Sequence, residues 1–169
     1  MRSPETKGML YAGVGSRETP AHILTVMHDY AAAKARTGAI LCSGGAQGAD
    51  SAFEDGADSE GGVSRIYTVD DVTDKHKEAY ALAEGCHPAW NKLPTYVRKL
   101  MVRNVFIVAG PEVDRPVDYV LAWTPNGCVT GGTGHTLRVA RRLGVPSYNL
   151  HDFSALQKAK TYISNPKYL

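Results

Sequence analysis

Short apolar runs along this chain alternate with stretches in which apolar residues recur every three or four positions. Met9-Leu10-Tyr11-Ala12-Gly13-Val14-Gly15 reads as a buried strand entering a glycine turn. Between Pro20 and Arg36, the residues Ile23, Val26, Met27, Tyr30 and Ala31 share one helical face. Thr19 is the candidate N-cap of that helix, Pro20 suits its first turn, and Gly38 ends it. Ala39 to Ser43 predicts a second strand that runs into Gly44-Gly45, followed by a short helix over Gly48 to Gly56. Ala57 to Gly62 is the expected flexible loop, and Ser64 to Val69 the third strand.

In the second half, Asp74 to Glu84 predicts a helix broken by Gly85-Cys86-His87-Pro88. Leu93 to Val108 predicts a longer one, with Val97, Leu100, Met101, Asn104 and Val105 spaced inward. Val117 to Trp123 is the fourth expected strand, and Thr124 to Gly132 the loop after it. Gly134 to Leu143 predicts a helix, and Val145 to Leu150 a short last strand. From Asp152 a final helix is expected before a loose tail. Strands alternating with helices imply one α/β domain, Rossmann-like and three-layered, with a mainly parallel sheet of about five strands covered on both faces.

Composition changes this picture at one point. Seventeen glycines in 169 residues exceed the usual share of about 7%, and they cluster. Net charge is only +2, but Asp50 to Glu84 holds ten acidic and three basic residues, while Lys92 to Arg142 holds eight basic and three acidic. A basic part of the surface could therefore face phosphates. Cys42, Cys86 and Cys128 form no CxxC pair or Cys/His quartet, so neither a zinc site nor a disulfide framework is indicated. Reduced thiols fit a cytoplasm. Met1 to Lys7 lacks the apolar stretch of a signal peptide, and no run approaches the length of a membrane span. The expectation is a soluble, unprocessed protein with no cofactor and no metal.

Three glycine-rich stretches each follow a predicted strand. They are Gly13-Val14-Gly15-Ser16-Arg17-Glu18-Thr19-Pro20, Ser43-Gly44-Gly45-Ala46-Gln47-Gly48-Ala49-Asp50 and Gly131-Gly132-Thr133-Gly134-His135-Thr136. Parallel strands bring all three to one edge of the sheet, where ligands bind at the point of strand-order reversal. Glycine admits close approach to main-chain amides, and helix starts offer unpaired N–H groups to a phosphate. No Walker A ending and no full Gly-x-Gly-x-x-Gly occurs, so a dinucleotide redox cofactor is not supported.

Together with Arg103-Asn104, these stretches resemble the SMF/DprA/LOG (SLOG) superfamily of Rossmann-like proteins, over about Leu10 to Leu150. The resemblance implies strand order 3-2-1-4-5. It also implies one of three activities: binding a nucleotide or nucleotide-derived ligand, hydrolysing the N-glycosidic bond of nucleoside monophosphates, or binding single-stranded DNA as a dimer. The hydrolase branch carries Pro-Gly-Gly-x-Gly-Thr-x-x-Glu. Here its catalytic glutamate is replaced by Arg138, and a cation cannot act as the general base.

Substitute carboxylates are Asp50 and Glu54, one turn apart on the second helix; both could instead simply complement the helix dipole. Arg17 and Arg138 are the leading phosphate contacts. Arg141 and Arg142 point about 100° apart on a helix, so the arginines should not all share one groove. Arg103-Asn104 either contacts the ligand or satisfies loop carbonyls. Trp123 either stacks on a base or belongs to the core. His135 could donate to a phosphate, move a proton or cap its helix. The expected partner is thus a nucleotide-type ligand or single-stranded DNA, and the expected assembly a homodimer or higher homo-oligomer.

Overall fold

Leu10, Ala12, Ile40, Cys42, Val120 and Ala122 turn to one side of a five-stranded sheet, while Tyr11, Leu41 and Leu121 turn to the other. This two-residue alternation along fully buried strands is what a sheet covered on both faces requires. The computed structural model describes residues 8–166. Its elements run β1 (Leu10–Gly13), α1 (Ala21–Arg36), β2 (Ile40–Ser43), α2 (Ala49–Ser59), β3 (Val63–Ile66), α3 (Lys77–Gly85), α4 (Thr95–Ala109), β4 (Tyr119–Ala122), α5 (Gly131–Arg142), β5 (Ser147–Asn149) and α6 (Phe153–Ser164). All four strand pairings are parallel, in the order β3-β2-β1-β4-β5. The order expected from the resemblance is therefore the observed one. The N-terminal stretch Met1 to Lys7 and the end of the expected tail lie outside the described residues.

One core layer packs α3, α4 and α5 against the sheet, through Ala79, Val102, Val105, Phe106 and Val139 among others. The other packs α1, α2 and α6, through Met27, Tyr30, Phe53 and Tyr162. The strand order reverses at the β1–β4 pairing, where Ala12 stands beside Val120. That reversal parts the loops following β1 and β4 and opens the edge on which the glycine stretches sit.

Several local readings differ from the structure; the third strand, for one, ends at Ile66, and Val69 opens a 3-10 turn. Thr19 does not cap α1; Pro20 occupies the cap position, and the Thr19 hydroxyl donates to Ser16 O, tightening the loop after β1. Ala57 to Gly62 is not an open loop. α2 continues to Ser59 because Ala57 is buried in the core, and Gly62 N then bonds back to Ala57 O. α5 starts at Gly131 and not at Gly134, since Gly134 N already donates to Thr130 O. No helix of the described residues is long and apolar enough to cross a membrane.

Candidate functional site

The first helical amides of α5 belong to Gly131, Gly132 and Thr133, which precede the helix's earliest backbone bond and have no intrahelical acceptor. They face a crevice of about 650 Å³ at the switch point. Gly15, Ser16 and Arg17 from the loop after β1 line it, as do Gly44 and Gly45 from the β2–α2 connection, Asp50 from the first turn of α2 and Thr136 from α5. Arg17 is exposed.

α4 ties the β2–α2 connection and the start of α5 together with consecutive side chains. Arg103 Nη1 donates to Gly44 O at 2.8 Å, and Asn104 Nδ2 donates to Gly132 O at 3.2 Å. The pair therefore satisfies one loop carbonyl, at Gly44, and one in the first turn of α5, at Gly132, while Arg103 and Asn104 also form part of the crevice wall. Ser43 ties the remaining loop, its buried hydroxyl donating to Gly13 O at 2.6 Å. That engages Ser43 away from any ligand. Gly13 is needed for packing, because a Cβ there would stand 2.5 Å from the Phe53 ring.

Asp50 is the carboxylate brought to the crevice. It accepts from Ala46 N at 3.2 Å, and burial pushes its carboxyl up to about 6, against the opposing pull of that bond and of Arg103. Glu54, one turn on, is half-buried and does not line the crevice. A helical turn puts both residues on one face, but only the first reaches the loop.

Four other candidates sit elsewhere. Trp123 is 8% exposed and packs in the α1/α2/α6 core beside His151; only its backbone meets the loop, where Ser16 N donates to Trp123 O. His135 is fully buried. Its Nε2 lies 3.0 Å from Ala83 O, so Nε2 carries the proton, and its Nδ1 faces Asn104 at 3.4 Å. Desolvation holds its pKa down at about 4, making it a neutral structural group that neither caps α5 nor enters the crevice. Gly134 packs against the Val129 backbone. Arg138 turns away, donating Nε to Cys86 O at 2.7 Å and Nη1 to Val129 O at 3.4 Å. With Arg141, Arg142 and residues 85–88 it lines a separate open cavity. The long side chains of Arg141 and Arg142 thus converge despite their angular separation on the helix.

Sequence reasoning missed Tyr96, Leu100 and Ile107, which line the crevice along α4 with Arg103. Their spacing of three or four residues was a legible signal, with exposed Tyr96 continuing the inward face by one turn. Thr68 and Val69, after β3, had no such signal.

The fold and site define a doubly wound parallel α/β domain with a crevice of mixed polar and apolar lining at its switch point. Comparison with family models, curated proteins and solved structures finds no match for the chain.

Proposed function

We propose that the crevice binds a phosphate-bearing nucleotide or nucleotide-derived ligand, with main-chain amides holding the anion. The observation that carries this reading is the start of α5. Gly131, Gly132 and Thr133 present unpaired amides and a positive helix end to a crevice whose other wall offers Arg17 and Arg103. A volume of about 650 Å³ falls within the ~300–1,000 Å³ typical of small-ligand sites. Tyr96, at the rim, offers a ring face to a base. Calorimetric titration with nucleoside monophosphates and the matching nucleosides tests the reading. The monophosphates should bind at least about tenfold more tightly, one good charge-assisted contact being worth that much. Equal affinities, or no binding of either, would overturn it.

The position of Asp50 favours a second reading, cleavage of the N-glycosidic bond of such a nucleotide. A carboxyl held up to about 6 by burial in the crevice lining titrates where general acid–base catalysis operates near neutrality. Free base should then appear on incubation with nucleoside monophosphates, be abolished by Asp50→Asn, and survive Glu54→Gln. Single-stranded DNA would use the same phosphate grip, and its affinity would fall steeply with salt. The proposal includes a homodimer in a reducing cytoplasm, which fits the free thiols of Cys42, Cys86 and Cys128; sedimentation tests the dimer.

A further inference from the structure

A second cavity, of about 280 Å³, lies between α1, the β4–β5 edge and α6, apart from the crevice. Its wall is largely aromatic, from Tyr30, Tyr119 and Tyr148, and the Tyr30 and Tyr119 hydroxyls are engaged with each other. Into it comes Lys34, 6% exposed. The Lys34 Nζ lies 4.3 Å from the Tyr162 ring centroid, 5.7 Å from that of Tyr119 and 5.8 Å from that of Tyr30. Its hydrogen-bond partner is the Met9 thioether, at 3.8 Å. Among the described residues no carboxylate pairs with it.

An ammonium has three donors. Ring faces attract the cation, and a thioether is a weak acceptor, so the site leaves hydrogen-bonding capacity unused on a buried charge. Lys158, exposed at the mouth, adds a second positive charge to the lining, which holds no acidic side chain. A ligand suited to these walls is apolar and flat, with one anionic group. The cavity lies just below the ~300–1,000 Å³ range of drug-sized sites, so that ligand is smaller than a nucleotide.

We propose that this cavity binds a small aromatic carboxylate, its ring among Tyr30, Tyr119 and Tyr148 and its carboxylate on the Lys34 ammonium. The site is independent of the crevice. Titration of the full chain with benzoate and with benzamide, followed by calorimetry or protein NMR, tests it without any substitution. Benzoate should bind in the millimolar range or tighter, and benzamide about tenfold more weakly for loss of the charge-assisted bond. Lys34→Met, once a thermal melt shows it folded, should lose benzoate binding while keeping its affinity for nucleoside monophosphates. Lys158→Ala should change benzoate affinity by less than about threefold, as a rim charge does. Equal affinities for benzoate and benzamide would overturn the proposal. So would no benzoate binding up to about 10 mM, or a folded Lys34→Met that binds benzoate like the wild type.

Discussion

Asp50 and Arg103 both close on the place where a side chain at position 44 would stand. A Cβ on Gly44 would lie 2.9 Å from Asp50 Oδ2 and would overlap the Arg103 guanidinium. Arg103 uses that space to donate to Gly44 O, while its own Nε stays buried without an acceptor. An acid, a base and a bare backbone therefore share one wall of the crevice.

Gly44→Ala should force the guanidinium off the Gly44 carbonyl. Overpacking of this kind costs about 1–3 kcal/mol. Urea unfolding should show the loss, and nucleotide affinity should fall with it, because the β2 loop loses its tie to α4.

Stability against pH should reveal two opposing groups. Asp50 holds its proton more tightly in the folded chain, about 6 against 3.8, so its contribution is fully present below the unfolded value and is lost as pH rises through the folded one. His135 is the reverse, about 4 against 6.5, so its contribution is full above the unfolded value and is lost as pH falls. Each is worth about 3 kcal/mol at most, and in the wild type the two slopes offset one another between about pH 4 and 6. Asp50→Asn should lose stability steadily towards acid. His135→Gln should gain it over the same interval. Denaturant unfolding across that range reads both slopes, and an Asp50→Asn profile parallel to the wild type's would contradict the assignment.

A carboxylate placed at Gly132 should block an anion without harming the fold. A Cβ there meets nothing within 4 Å, and an acid in a helix's first turn is worth about 0.3–1 kcal/mol of added stability. Gly132→Asp should keep or raise the melting temperature and weaken nucleoside monophosphate binding about tenfold or more through like-charge repulsion. Gly132→Asn, neutral and of the same shape, should bind nearly as the wild type does.

Substitutions at two residues outside the crevice should spare binding. Trp123→Phe should destabilise by about 1–2 kcal/mol, as a core change, and leave nucleotide affinity within about twofold. Arg138→Ala should likewise leave it within that margin, whereas Arg17→Ala should reduce it. Loss of binding in Arg138→Ala would return that guanidinium to the crevice.

The site was only partly legible in the chain. Gly15, Ser16, Arg17, Gly44, Gly45 and Gly131 to Thr133 follow strands, and in a parallel sheet that alone brings them to one edge. Trp123 follows a strand, and His135 and Arg138 follow a glycine stretch, just as visibly, yet they point into the core or behind α5. Position along the chain places a backbone. The direction of a side chain depends on its neighbours in space.

Periodicity and glycine placement in the sequence alone determined the alternation of strands and helices, the two covered faces and the edge where the loops gather, because these follow from local spacing and burial. Tertiary structure alone decided that Asp50 and not Glu54 meets the crevice, that Arg103 and Asn104 tie α4 to the β2 loop and to the start of α5, and that Lys34 is walled in by tyrosines. Those outcomes turn on contacts between residues distant in the chain, such as Arg103 with Gly44 and Lys34 with Tyr119. No local pattern encodes such contacts, since they exist only once the helices have packed.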